Sequence, residues 1–176
     1  MHRSADNGKT WSAARILWEG FPTKTAHNPV AIVTRGGEIL LWCSAYQWSP
    51  REKGPCYWSV SKDDGKTWSA FAPFGGNEGF STYYMVDAIQ TADGLLGGSA
   101  DFKWPGVGNC HVPIWHSADD GKTWQVRSRL TSPNEDIGDE TALLETSPGE
   151  ILCILRDRYG KHKDTWAFRS ADGGKT

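Results

Sequence analysis

SKDDGKTW, Ser61 to Trp68, recurs three more times along the chain: as SADNGKTW from Ser4, SADDGKTW from Ser117 and SADGGKT from Ser170. The phrase has the chemistry of a turn. Ser61 and Asp63 carry short polar side chains that hydrogen-bond nearby backbone groups, as in Asx and ST turns. Gly65 admits a positive φ, and Thr67 and Trp68 are expected to restart a strand, with the indole available to cover apolar surface. Two ligand-binding readings fail. A phosphate loop needs a glycine five residues before its Gly-Lys pair, and those positions hold Arg3, Val60, His116 and Arg169. A calcium loop needs alternating oxygen ligands and a distant glutamate, and the phrase has neither.

The serines of the phrase are 57, 56 and 53 residues apart, a period that signals a propeller or a solenoid. No sustained 3.6-residue apolar pattern lies between them. The intervening runs are short and rich in Val, Ile and aromatics: PVAIVT, EILLWCSAY, CYWSVS and TWSAFAP in the first period. VDAIQT, LLGGSADF and HVPIWHS follow in the second, and ETALLET, EILCILR and TWAFRS in the third. Four short strands per period is the content of a propeller blade. RGGE, ADG and SPGE supply the hairpin turns between first and second strands.

The bulk composition agrees. A chain of 176 residues can bury a sizeable core, and 38% hydrophobic with 23% charged residues is ordinary for a soluble protein. Ten tryptophans are not ordinary and call for an architecture that uses flat, amphipathic rings. A net charge of −2 with no polybasic block points away from nucleic acid and membrane surfaces. There is no apolar run of bilayer length, and MHRSADNG has no apolar signal region, so no secretion signal is expected within these residues. Cys43, Cys56, Cys110 and Cys153 lack CxxC spacing, so no zinc site is expected. Buried free thiols are favoured over a Cys43–Cys56 bridge. Neither a metal nor a cofactor is called for.

S-x-D-x-G-x-T-W is the Asp-box, or bacterial neuraminidase repeat, and the whole chain resembles the sialidase-type Asp-box β-propellers. The resemblance implies an all-β fold of four-stranded antiparallel blades, with the box joining third and fourth strands. Those propellers have six blades and residues 1–176 supply about three, so the resemblance implies a single propeller fragment cut within a blade at both ends. Such a fragment is expected to expose blade faces and to self-associate. By the same resemblance the parent is secreted or periplasmic.

Propeller sites collect at one mouth of the channel, where each blade's first strand starts and its second strand ends. In DIGDETALLETSPGEILCILRDRYG these points hold Glu140 and Arg156, one hairpin apart. Sialidases place a glutamate and the second arginine of a substrate-binding triad there. A sugar carboxylate suits a two-pronged guanidinium, and a tyrosine nucleophile needs a nearby carboxylate to take its proton, its free pKa being about 10. The resemblance therefore implies Glu140 as catalytic base and Arg156 as carboxylate ligand. The bland reading has Glu140 binding backbone and Arg156 paired with Asp157 or Asp139. Asp87, an acid among Met, Val, Ala and Ile at the entry to the second blade's first strand, needs a partner or a role and is a candidate substrate contact facing the channel. Asp101 and Trp48, with Tyr46 and Trp104, stand where second strands end in long loops, and acids and aromatics there suit sugar faces. His27 and Asn28 sit at the first blade's corresponding point, where a hydrogen bond within the fold is the better account of the histidine.

The first and third arginines, the acid/base aspartate and the nucleophilic tyrosine find no place in residues 1–176, and Tyr83 and Tyr84 fall in the wrong blade. The chain alone is expected to be inactive. Three functions fit: part of an exo-sialidase-like glycoside hydrolase acting on sialylated glycans, a carbohydrate-binding or scaffold propeller without catalysis, or an Asp-box hydrolase of another sugar.

Overall fold

The computed structural model describes residues 1–17, 26–47, 52–74, 82–101, 112–131, 137, 140–157 and 165–176. The expectations for Trp48, Trp104, Cys110 and Asp139 lie outside these residues, and the side chains of Tyr46, Tyr83, Tyr84 and Asp101 are not described. Among the described residues there is no helix, and the strands form three antiparallel sheets. The first holds β1 (Ala26–Val33), β2 (Ile39–Gln47), β3 (Glu52–Ser61) and β4 (Ala72–Phe74) in that order. The second holds β5 (Thr82–Thr91), β6 (Gly94–Asp101), β7 (Val112–Ser117) and β8 (Gln125–Leu130). The third holds β9 (Thr141–Ser147), β10 (Glu150–Arg156) and β11 (Thr165–Ser170).

Each box closes through the same bonds. In the second copy the Ser61 hydroxyl donates to Asp63 Oδ1 at 2.9 Å and accepts the Gly65 N–H at 2.8 Å. Asp63 in turn accepts the Thr67 N–H at 2.8 Å and its hydroxyl at 2.6 Å. The Ser4, Ser117 and Ser170 copies repeat this pattern. The turn needs two consecutive positive φ angles: 58°, 60°, 56° and 76° at Asn7, Asp64, Asp120 and Gly173, and 74–87° at the glycine that follows. Asn and Asp tolerate this region better than most residues, and Gly enters it freely.

Hydrogen bonds from the threonine hold the Asp6, Asp63 and Asp119 carboxyls down at about 2. At Asp172 the donors are led by the Ser170 hydroxyl and shift the carboxyl in the same direction. A carboxylate depressed in the fold contributes stability above its unfolded value of about 3.9, and that contribution is lost as pH falls through the folded value. Thermal stability is therefore expected to fall between about pH 4 and pH 2. Asp63→Asn with Asp119→Asn should flatten that fall, as read by melting temperature across the range; an unchanged profile would mean the boxes do not contribute it.

The strand after the box does not restart at once in the second copy. Ser69 interrupts the ladder: its hydroxyl takes the Val60 N–H at 3.0 Å and bonds back to Ser59, so β4 begins only at Ala72. Ser12 does the same to Arg3 in the first copy. In the third copy the residue after the box tryptophan is Gln125, which pairs directly with His116 as the first residue of β8. A serine hydroxyl competes for the backbone where a glutamine does not.

Packing between sheets follows the two-residue period of the strands. In β6, Leu95 faces the first sheet, in a cluster with Leu40, Trp42, Phe74, Met85 and Trp115. Its neighbour Leu96 faces the third sheet, with Val112, Ile114, Leu143, Ile151 and Cys153. The middle sheet is thus covered on both faces, and β7 is buried along its whole length. Cys43, Cys56 and Cys153 are free and buried, and burial pushes their thiols up to about 11, 12 and 12. They behave as small apolar residues, not nucleophiles.

Trp68 and Trp124 are half-buried, each indole N–H donating to the carbonyl of its box glycine, Gly65 or Gly121. The Trp124 ring packs edge-on against Trp42 and Phe74 of the preceding sheet rather than on its own. Trp11 departs from the expectation that it too would be covered: it is 63% exposed.

Candidate functional site

The first hairpins and the boxes share one end of the sheets. Antiparallel order puts the starts of β1, β5 and β9 and the ends of β2, β6 and β10 at the other. Glu140 immediately precedes β9 and Arg156 closes β10. The last register pair of this hairpin is Thr141 with Leu155, so the two residues beyond it face one another. The Arg156 N–H donates to the Glu140 carbonyl at 2.9 Å, and Arg156 Nη1 lies 3.0 Å from Glu140 Oε2. The side chains are 50% and 42% exposed respectively. An exposed pair of this kind stabilises a fold by about 0–1 kcal/mol at most. Its consequence is positional: a guanidinium and a carboxylate are held together at the strand ends, within reach of solvent.

The backbone that carries Glu140 is fixed from the neighbouring sheet. Asp87 accepts the Leu143 N–H of β9 through Oδ2 at 2.7 Å and the Ala88 N–H through Oδ1 at 2.9 Å. The register of β5 shifts between Met85 and Asp87, at the point where this carboxylate reaches across. Thr141 packs on Gly98 of β6, where an added Cβ would fall 2.4 Å from the threonine hydroxyl oxygen. The sequence marked Asp87 as needing a partner or a role; its oxygens meet two backbone N–H groups, one of them in another sheet. Nothing local in the sequence identified Leu143 or Gly98 as part of this support.

Asp101 ends β6 at this same end of the molecule, in register with Thr82. His27 and Asn28 lie where β1 shifts register, with Asn28 at a φ of 47°. Among the described residues no group of three or more His, Cys, Asp or Glu side chains is arranged to hold a metal ion, and no helix is long and apolar enough to cross a membrane.

The family model described as a BNR repeat-like domain matches residues 1–176. The chain belongs to this family, the sialidase-type Asp-box propellers. A curated relative named sialidase, from Bacteroides fragilis (strain YCH46), is 25% identical over 188 residues, which is 91% of this chain and 34% of the relative. The BNR chain thus spans about a third of that protein's length. Among solved structures, the Hadza microbial sialidase Hz136 superimposes with a TM-score of 0.79 at 20% identity, covering 99% of this chain and 38% of that one. The alpha-L-arabinanase of Penicillium chrysogenum does so with a TM-score of 0.61 at 19% identity, covering 84% and 46%. These likenesses establish the fold as that of sialidase propellers.

Proposed function

We propose that this BNR chain contributes part of the active site of an exo-sialidase-like glycoside hydrolase that releases terminal sialic acid from glycoconjugates. The observation that carries the reading is the Glu140–Arg156 pair, held one hairpin apart at the open strand ends. Membership of the family and the relative named sialidase support it. In this reading Arg156 grips the carboxylate of the sugar, a planar two-oxygen anion that matches the guanidinium fork. Glu140 takes the proton of a tyrosine nucleophile supplied by another blade of the complete ring. A tyrosine with a free pKa of about 10 attacks poorly at neutral pH unless such a base is close. Asp101 and Trp48 are further candidate contacts to the sugar. The chain's own residues supply the base, the anion grip and, through Asp87 and Gly98, the support beneath them.

Arg156→Lys tests the grip in the protein that carries the complete ring. A point charge cannot reproduce a bidentate contact, so binding should weaken by about 1.5–3 kcal/mol, or about 10- to 150-fold in KM. Lys122→Ala, at the opposite end of the sheets, should do nothing. Kinetics on a fluorogenic sialoside measure both. An Arg156→Lys protein with unchanged KM would turn the pair into rim structure and favour a non-catalytic propeller.

A further inference from the structure

Asp87 and Gly98 are register partners on the adjacent strands β5 and β6, and both meet the first strand of the next sheet. Thr141 lies on Gly98, and Leu143, two residues on, donates its N–H to Asp87 Oδ2 at 2.7 Å. Strand β9 is therefore docked on the second sheet at its first and third residues, immediately after Glu140.

Register explains why the Leu143 N–H is on offer. Arg156 donates its N–H to the Glu140 carbonyl, which makes these two a hydrogen-bonded pair of the hairpin. Such pairs alternate along an antiparallel ladder, so residues 141 and 143 turn their backbone groups away from β10. Among the described residues β9 ends its sheet, in the order β11-β10-β9, and its own sheet has no acceptor for that N–H. A carboxylate from the neighbouring sheet supplies one. Asp87 reaches it where the register of β5 shifts, and the Ala88 N–H, 2.9 Å from Oδ1, fixes the other oxygen. Cys153, the register partner of Leu143 on β10, lies close enough to feel the same charge: its thiol is pushed up to about 12 by burial first and by Asp87 second. The carboxylate is thus beside both strands of the hairpin that carries Glu140 and Arg156. Glu140 itself is held differently. Its side chain is 42% exposed, and an exposed ion pair restrains a side chain weakly, so its place depends on its backbone.

We propose that Asp87 is a positioning residue, which sets where Glu140 stands at the strand ends by clamping β9 to the second sheet and acts on turnover through Glu140 without touching substrate. The proposal rests on Glu140 as the catalytic base. A displacement of about 1 Å at a reacting group can cost about 100-fold in rate, and this clamp lies three residues beyond the base.

Asp87→Asn, in the protein that carries the complete ring, tests this. The amide has one acceptor oxygen for two N–H donors and turns its own N–H₂ toward one of them. The expected result is a kcat about 10- to 100-fold lower with KM changed by no more than about twofold. In a Glu140→Gln background the same change should lower kcat no further, because the group being positioned is already gone. Hydrogen exchange of the Leu143 amide should quicken at least about fivefold, since a charged acceptor is lost. Gly98→Ala, which presses a methyl group onto Thr141, should lower kcat through the second contact. A raised KM with normal kcat in Asp87→Asn makes Asp87 a contact to the sugar and overturns the proposal. Equal falls in kcat with and without Glu140 overturn it as well, and so does faster exchange at Leu143 with normal kcat. A Glu140→Gln protein with normal kcat is a separate failure: it removes the base and the positioning claim with it, while exchange at Leu143 still reports the bond.

Discussion

Glu140→Gln is expected to lower kcat by about 10²–10⁴-fold in the protein that carries the complete ring, with a much smaller change in KM. The reason is that an amide keeps the shape and one acceptor of the carboxylate but cannot take a proton from a tyrosine. The ion pair sharpens the expectation. Glu140 Oε2 lies 3.0 Å from Arg156 Nη1, so glutamine also removes a charge from beside the guanidinium. On an exposed rim that loss costs about 1 kcal/mol or less, too little to explain a hundredfold fall in turnover. A stability measurement on the same variant separates the two effects. A kcat fall with little loss of stability assigns Glu140 to the chemistry. A fall that tracks unfolding, or a variant with normal kcat, removes it from that role.

The second large effect is on stability. Gly121→Ala should destabilise by about 2–5 kcal/mol, combining about 1–2 kcal/mol for an L-residue at positive φ with about 1–3 kcal/mol for overpacking. Gly121 has a φ of 87°, and an added Cβ would fall 2.3 Å from Cδ1 of Leu40, itself buried between the first two sheets. Gly65 is the internal control. It occupies the same box position with a φ of 74°, but an added Cβ would meet nothing closer than 3.7 Å. Gly65→Ala should therefore cost only the backbone share, about 1–2 kcal/mol. Urea midpoints of the two variants measure the difference. Equal losses would mean that Leu40 moves aside freely and that the box is not pressed onto the preceding blade.

The sequence by itself determined whatever is settled within a few residues. The box closes through bonds among Ser61, Asp63, Gly65 and Thr67, so its conformation was legible from the phrase and holds in all four copies. Strands alternate with period two, and PVAIVT and EILCIL form β1 and β10 accordingly. Glu140 and Arg156 could be brought together on paper because a single short hairpin joins them, and antiparallel register then leaves little freedom. The tertiary structure decided what depends on residues remote in the chain. Asp87 was visibly in need of a partner, but its partner Leu143 lies 56 residues on, in another sheet. Leu95 and Leu96 are alike as neighbours, and only the stacking of sheets sends one to each core. Trp11 and Trp124 share the same local phrase, yet one is bare and the other covered. A box tryptophan is buried by the blade it follows and the blade it meets, and neither is written in the eight residues that carry it.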